Sequence, residues 1–183
     1  MIKIGVIGAH GCGKTTACLD IALGLKKEGV NARILDEIAT DLPRLPGFSI
    51  NEGTTELAQT YILLDQMRRE ILFEAGGHIE VGIFNRIVLD NYAYFKRAGF
   101  VNPFVESLIK HHSLTGYSLI LKMSRNPNYL INDGVRSTID QFQVDIDNII
   151  EGLLADWKVP FQRYTDAGPI IEQILAIRNG QKK

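Results

Sequence analysis

Residues 8–16 combine three glycines with a lysine and two threonines at a spacing that suits the binding of phosphate groups. The order is Gly8-Ala9-His10-Gly11-Cys12-Gly13-Lys14-Thr15-Thr16, which fits the pattern G-x-x-x-x-G-K-[ST]. Glycines permit backbone angles that other residues avoid, and they let the chain pass close to a phosphate. Successive backbone N–H groups and the positive end of a following helix then attract the anion. The stretch therefore predicts a loop that holds the phosphates of a nucleotide.

The residues on either side of this loop favour the same interpretation. Residues 2–7 are mostly apolar and β-branched, as in a buried strand, and apolar residues recur at helical spacing after Thr15. A strand, a glycine loop and a helix in immediate succession make up the P-loop arrangement. The alternative is a glycine-rich turn with an incidental lysine, and the flanking strand and helix argue against it.

Within a P-loop the residue types have distinct tasks. Lys14 is predicted to bridge the β- and γ-phosphates of ATP, and the Thr15 hydroxyl is predicted to ligate Mg²⁺. His10 and Cys12 occupy variable positions of the pattern, so we predict no catalytic role for their side chains. The residues predicted to contact the nucleotide are Gly8, His10, Gly11, Cys12, Gly13, Lys14, Thr15 and Thr16.

Composition narrows the class of protein. A length of 183 residues suits a single domain, here 1–183, with a full-sized core. The formal net charge of −1 gives no basic field, so we expect no nucleic acid as the main partner. Cys12 and Cys18 form neither a disulfide framework nor a metal-ligand spacing, which favours a reducing compartment. With no apolar run of membrane-spanning length and no signal peptide, we expect a soluble cytoplasmic protein without a membrane partner.

Apolar runs and turn signals predict an alternation of strands and helices along the chain. The predicted strands are residues 2–7, 30–35, 79–84, 117–123 and 160–164. The predicted helices are residues 14–28, 54–75, 88–97, 104–112, 137–156 and 169–178. Such alternation implies a parallel sheet with helices on both faces. The expected fold is therefore a three-layer α/β/α P-loop NTPase fold with a five-stranded parallel sheet.

Ligands of such folds bind at the carboxyl ends of the strands. Besides the P-loop, this edge should carry Asp36-Glu37, Asn85-Arg86 and Asp166. It should also carry the polar segment after the fourth strand, which we predict to be a mobile lid at residues 124–137.

This set of residues resembles the small-molecule P-loop kinases, and most closely the nucleoside and nucleotide kinases. The resemblance rests on the P-loop, on Asp36-Glu37 after the second strand, on a long helix with glutamines and arginines, and on Asn85-Arg86-x-x-x-Asp90-x-x-Ala93-Tyr94. The group includes deoxynucleoside kinases, thymidylate kinases and ribosylnicotinamide kinase domains with their AAA-like relatives. The resemblance implies ATP and Mg²⁺ as cofactors and a small-molecule phosphate acceptor as partner.

Cationic side chains at the expected edge suit phosphoryl transfer, because that reaction spreads negative charge over the moving group. Arg86 leaves the third strand near the phosphate loop, where it is expected to clamp the γ-phosphate or the acceptor. The predicted lid contains two arginines, Arg125 and Arg136. Arg136 is expected to close over ATP and exclude water. The alternative for both Arg86 and Arg136 is a solvated surface charge.

Three further residues receive roles from the resemblance. Glu37 is the candidate general base or an outer Mg²⁺ ligand that contacts the ion through a bound water, although Asp36 or Glu37 could merely cap a turn. Gln59 resembles the base-reading glutamine of deoxynucleoside kinases, since an amide pairs with a base edge through a donor and an acceptor. The alternative for Gln59 is an exposed helix position. Tyr94 is expected to contact the substrate, or to belong to the core or pocket wall like its aromatic neighbours.

Asn85 departs from the pattern, because the group usually carries Asp or Glu at this position. A neutral amide holds a Mg²⁺-bound water more weakly than a carboxylate does. Two alternatives to a kinase of nucleosides or nucleotides stay open. One is an ATP-binding regulator with a degenerate kinase site, which Asn85 favours. The other is an ATPase, although ATPases usually retain an acid at this position. The acceptor also stays open, and the amphipathic helices offer a face for a homodimer.

Overall fold

The computed structural model describes residues 1–36, 53–126 and 140–181, with five strands and six helices in those ranges. The strands are β1 (Ile2–Ile7), β2 (Ala32–Leu35), β3 (Val81–Asn85), β4 (Leu119–Lys122) and β5 (Gln162–Arg163). The helices are α1 (Lys14–Lys27), α2 (Glu56–Ala75), α3 (Val88–Arg97), α4 (Pro103–Thr115), α5 (Asp140–Trp157) and α6 (Ala167–Gln181).

The five strands form one sheet in the order β2-β3-β1-β4-β5, and every neighbouring pair is parallel. The predicted five-stranded parallel sheet is therefore confirmed. The register places Val6 of β1 opposite Asn85 of β3. This pairing brings the start of the phosphate loop and the end of β3 to the same edge of the sheet.

Strand residues alternate between two hydrophobic clusters, one on each face of the sheet, because successive side chains of a strand point to opposite sides. In β1, Ile4 and Val6 pack in the cluster with α1 and α6, whereas Ile7 packs in the cluster with α3 and α5. Trp157 belongs to the second cluster, where it stacks on Tyr92 with 5.6 Å between ring centroids. The three layers are thus helix, sheet and helix, as predicted.

Helix α2 reverses the usual burial pattern of an amphipathic helix. Three of its polar side chains, Gln59, Gln66 and Glu70, are each only 1% exposed. Ile62 and Leu63 are buried as well, but several other large apolar side chains of the helix face outward, namely Leu57, Tyr61, Leu64, Ile71 and Leu72. An exposed position for Gln59, the alternative to a binding role, is therefore wrong. The homodimer expected from the amphipathic helices stays a prediction.

Element ends differ from the sequence prediction in ways that matter for the site. Strand β3 begins two residues later than expected and includes Asn85, because its hydrogen bonding to β1 continues to that residue. Strand β5 is reduced to two residues at the sheet edge. Thr55 caps α2, and its Oγ1 accepts a hydrogen bond from the Ala58 N–H at 3.2 Å. Across the described ranges, no helix has the length and apolarity needed to cross a bilayer.

Substitution of Gly5 tests how tightly the sheet packs next to the site. A Cβ added to Gly5 of β1 would lie 2.9 Å from Cγ2 of Ile87, a side chain that is fully buried. We expect Gly5→Ala to lower the free energy of unfolding by about 1–3 kcal/mol through overpacking. The control is Gly152→Ala in α5, where a Cβ meets nothing within 4 Å. That exchange should raise stability by about 0.5–1 kcal/mol.

Urea unfolding followed by circular dichroism measures both effects. Equal stability of the two variants would contradict the packing of β1 against Ile87.

Candidate active site

The loop between β1 and α1 adopts the conformation that its glycines were expected to allow. Gly8, Gly11 and Gly13 have positive φ values of 149°, 64° and 88°. A Cβ on Gly8 would also lie 2.9 Å from the Sγ of Cys12. The backbone therefore folds into a tight cradle directly before the first turn of α1, where N–H groups and the helix dipole attract anions.

Lys14 turns back over this cradle. Its Nζ donates hydrogen bonds to the carbonyl oxygens of Gly8 at 2.8 Å and Ala9 at 2.7 Å, and its side chain is buried. The ammonium group is thus held by neutral carbonyls at the mouth of the loop. A cation in this position suits contact with phosphate oxygens.

Asp90 connects the phosphate loop to the end of β3. Its Oδ1 accepts the N–H of Gly8 at 2.8 Å, and its Oδ2 accepts the N–H of Ile87 at 3.1 Å. The carboxyl group is fully buried, and this burial raises its pKa, while the charges of Lys14 and Arg86 and the two N–H donors act in the opposite direction. One side chain therefore fixes both the first residue of the loop and the residue after Arg86.

The predicted metal ligand Thr15 lies beside Asn85. Asn85 Nδ2 donates to Thr15 Oγ1 at 3.1 Å, while its Oδ1 is buried and has no hydrogen-bond partner in the part of the chain that the structure describes. The position expected to carry a carboxylate thus contacts the predicted metal ligand through an amide. Three or more His, Cys, Asp or Glu side chains suited to a metal ion do not cluster anywhere in the described ranges.

Arg86 is buried, with 3% of its surface exposed, so a solvated surface charge, the alternative for this residue, is wrong. Its backbone φ is 90°, a region that side chains other than glycine rarely adopt. Its N–H donates to the Val6 carbonyl at 3.1 Å, and its guanidinium carbon lies 4.9 Å from the ring centroid of Tyr94. Such backbone strain occurs at functional sites, where the surrounding contacts compensate for it.

Tyr94 and His10 extend the site toward α5. The Tyr94 hydroxyl lies 3.2 Å from His10 Nδ1, and the Phe142 ring packs 5.6 Å from the His10 ring. Gln143 donates from Nε2 to the His10 carbonyl at 2.7 Å. Because Gln143 is fully buried, α5 acts as a fixed support for the middle of the phosphate loop.

A cavity of about 350 Å³ opens on the other side of the loop. It lies between the start of α1 and the ends of β4 and β5, and residues that line it include Thr16, Asp20, Met123, Arg125 and Tyr164. Burial, with the charges of Asp20 and Asp166, raises the pKa of the Tyr164 phenol. The phenol therefore keeps its proton and presents a hydrogen-bond donor near the loop.

The structure brings most of the sequence-predicted residues together. The P-loop residues, Arg86 and Tyr94 are linked by the contacts given above. Gln59 is buried on α2, and its Nε2 donates to Thr54 Oγ1 at 3.0 Å. Glu37, Arg136 and the lid beyond Asn126 lie outside the described residues, so their roles stay predictions.

Sequence reasoning left several contributing residues without a role. Asp90 stood within the motif that carried the family resemblance, so its spacing from Arg86 was the available signal. Gln143 and Phe142 gave no such signal, because they contact residues more than a hundred positions earlier in the chain. The cavity beside α1 was equally hidden, since its lining comes from three separate elements.

Asp90→Asn tests the link between the loop and β3. An asparagine supplies one acceptor oxygen in place of two, so its NH₂ would face one of the two backbone N–H donors. We expect a loss of about 1–3 kcal/mol in the free energy of unfolding. Weaker ATP binding should accompany it, because Gly8 begins the phosphate loop. Urea denaturation and titration with a fluorescent ATP analogue measure these effects.

The matched control is Asp65→Asn, since Asp65 is also mostly buried, and among the described residues its ion pairs are with Arg68 and Arg69 of its own helix. ATP affinity equal to wild type in Asp90→Asn would contradict the role of Asp90.

Comparison with known structures identifies proteins with the same fold. The deoxyadenosine kinase of M. mycoides, solved with the products dCMP and a flexible dCDP, matches with a TM-score of 0.62 and 18% identity. The same kinase with bound dATP matches with a TM-score of 0.62 and 20% identity. Each match covers 98% of this chain and 100% of the kinase chain. At this identity the likeness shows the fold, which is that of the P-loop NTPases.

A search of curated proteins found no match. A family model described as an AAA domain, in contrast, matches residues 3–168. This range includes the phosphate loop, Asp90 and the end of β3. The chain therefore belongs to the AAA domain family.

Proposed function

We propose that this chain is an ATP- and Mg²⁺-dependent kinase that transfers the γ-phosphoryl group to a small-molecule acceptor, a nucleoside or nucleotide. The observation that carries the proposal is the buried side chain of Arg86 beside the phosphate loop, with Asp90 joining the backbone of Ile87, the next residue, to that of Gly8. Binding of ATP alone needs the loop and Lys14. A second buried cation at the same edge suits a reaction that moves negative charge from ATP to an acceptor.

The proposed step forms a bond between an acceptor hydroxyl oxygen and the γ-phosphorus, and it breaks the bond from that phosphorus to the bridging oxygen of ADP. Lys14 and Arg86 stabilise the charge that spreads over the phosphoryl oxygens. The proton of the acceptor hydroxyl passes to Glu37, which takes the general-base role from the family resemblance. Tyr94 orients the Arg86 guanidinium by lying against it.

The residues near Thr15 fit a Mg²⁺ ion that is bound mainly by the nucleotide. Mg²⁺ prefers oxygen ligands and keeps several waters, so few protein ligands are required. Thr15 Oγ1 would hold it directly, Glu37 would contact it through a bound water, and the buried Asn85 Oδ1 offers an acceptor for a hydrogen bond from another metal-bound water. When bound, the ion neutralises charge on the transferred phosphoryl group.

Both substrates have a place beside the loop under this proposal. We assign the cavity lined by Thr16, Met123 and Tyr164 to the base of ATP, since it adjoins the start of α1. The acceptor then lies on the opposite side, near Arg86, Tyr94 and Gln59. The likeness to a deoxyadenosine kinase supports a nucleoside or nucleotide as the class of acceptor.

Asn85 favours a second candidate, an ATP-binding regulator. An amide in place of the usual carboxylate leaves the proposed metal site one negative charge short, which weakens Mg²⁺ binding. A protein that senses ATP without turnover tolerates this change, whereas a fast enzyme depends on the ion.

The kinase proposal is tested by ATP consumption with Mg²⁺ against a panel of nucleosides and nucleoside monophosphates, with Lys14→Ala as the control. We expect one acceptor class to accelerate consumption and the Lys14 variant to lose at least about a hundredfold in rate, by removal of the main phosphate cation. ATP binding without acceleration by any acceptor would contradict the kinase and favour the regulator.

Asn85→Asp tests the metal site and separates the two candidates. The added carboxylate should tighten Mg²⁺ binding in the presence of ATP by about tenfold, or about 1.4 kcal/mol. Replacing Mg²⁺ by Mn²⁺ and measuring free metal by electron paramagnetic resonance gives this affinity without turnover. Unchanged metal affinity would contradict the placement of the ion beside Asn85. Tighter metal binding with no phosphoryl transfer in either protein would favour the regulator.

A further inference from the structure

We propose that Gln66 is a positioning residue for Arg86, acting on the main-chain carbonyl of Arg86, and that Glu70 fixes the Gln66 amide in the required orientation. The inference rests on the proposed phosphoryl transfer, because it assigns Gln66 a task in that reaction. The contacts that support this inference involve α2, α4 and the residues before β4.

The Gln66 side chain uses both hydrogens of its amide group. Nε2 donates to the Arg86 carbonyl oxygen at 3.2 Å and to Glu70 Oε1 at 2.8 Å. A flipped amide would place Oε1 against a carbonyl oxygen and a carboxylate, both acceptors, so the contacts determine the orientation. Oε1 is buried and makes no hydrogen bond to any residue in the described ranges.

Glu70 is held in turn by donors from two other parts of the chain. Its Oε2 accepts the Tyr117 hydroxyl at 2.6 Å and lies 2.8 Å from His112 Nε2. Burial, together with the charge of Glu70, keeps the pKa of the Tyr117 phenol well above its usual range, so the phenol stays a donor. The position of Gln66 is therefore set by α4 and the residues before β4 as well as by its own helix.

Arg86 needs such support because its backbone is strained. Its φ of 90° lies in the left-handed region, where an arginine persists only if its neighbours enforce the conformation. The peptide groups on both sides are held: the Arg86 N–H bonds to Val6, and the Ile87 N–H bonds to Asp90. Gln66 in turn holds the Arg86 carbonyl.

The burial pattern of α2 points to the same conclusion. Gln66 and Glu70 are each 1% exposed, while Leu64 and Ile71 on the same helix are more than half exposed. Burial of amide and carboxylate groups costs free energy unless each is hydrogen-bonded. The helix buries Ile62 and Leu63 for packing, yet it also buries an amide and a carboxylate that packing alone does not require. The buried amide therefore fits a task at the Arg86 carbonyl.

Gln66→Leu removes the donor and keeps an apolar side chain of similar size. We expect acceptor-dependent kcat/KM to fall by about ten- to a hundredfold with ATP affinity unchanged, since small displacements of a positioning group have effects of that size. Asp65→Asn, the neighbouring position on α2, should keep wild-type kinetics. Wild-type kcat/KM in Gln66→Leu would overturn the inference, even if the variant were less stable.

Gln66→Glu gives a readout that a purely structural role would not produce. The introduced carboxylate, when ionised, repels the Arg86 carbonyl and Glu70, but its protonated form again has an O–H donor. Burial and the neighbouring carboxylate raise the pKa of such a group. The ratio of variant to wild-type activity should therefore rise as pH falls from 8 to about 6. The neighbouring titratable groups His112 and Tyr117 are present in both proteins, so the ratio isolates the effect of the introduced carboxylate. A ratio independent of pH would overturn the inference.

A turnover-free measurement separates this inference from the kinase proposal. The dipeptide Arg-Ile occurs at two positions, Arg33-Ile34 and Arg86-Ile87. Protein with carbonyl-¹³C arginine and ¹⁵N isoleucine therefore gives two carbonyl signals in an HNCO spectrum. Gln66→Leu should move the Arg86 signal to lower chemical shift, as expected for loss of a hydrogen bond. The Arg33 signal should stay unchanged. An unmoved Arg86 signal would overturn the inference whether or not the protein is a kinase.

Discussion

The carboxylate of Asp90 joins the two parts of the chain that must meet for any chemistry at this sheet edge. It accepts one N–H from Gly8, where the phosphate loop begins, and one from Ile87, the residue after Arg86. Its burial is unfavourable for a charged group, and the two donors with the charges of Lys14 and Arg86 oppose that cost. Because Val6 of β1 pairs with Asn85 of β3, Gly8 and Ile87 lie close enough for this single side chain to contact both.

Around that constraint the site is supported from several sides. Gln143 of α5 holds the His10 carbonyl, Lys14 closes over Gly8 and Ala9, and Gln66 of α2 holds the Arg86 carbonyl. Each contact acts on the backbone of the site and leaves side-chain groups for ligands. A preorganised cradle of this kind stabilises charge without rearranging during the reaction.

The parts of the fold that local sequence determines were predictable. The strand, loop and helix around Lys14 follow from glycine conformation and apolar periodicity, and the alternation of later elements implied the parallel sheet. Long-range polar contacts were not predictable in the same way. Helical spacing alone places Leu64 and Gln66 on different sides of α2, but which side is buried depends on the acceptors for Gln66 at residues 70 and 86. Likewise the Asn85 departure was evident in the sequence, whereas its contact with Thr15 required the register of β1 and β3.

Under the proposed function, this edge of the sheet transfers a phosphoryl group to an acceptor and does not release it to water. The most direct measurement follows the γ-phosphate of radiolabelled ATP in the presence of Mg²⁺ and the acceptor that most accelerates consumption, with products separated by chromatography. Label in an ester of the acceptor, with little inorganic phosphate, is the predicted result. Label in inorganic phosphate alone would contradict the proposed transfer and identify an ATPase.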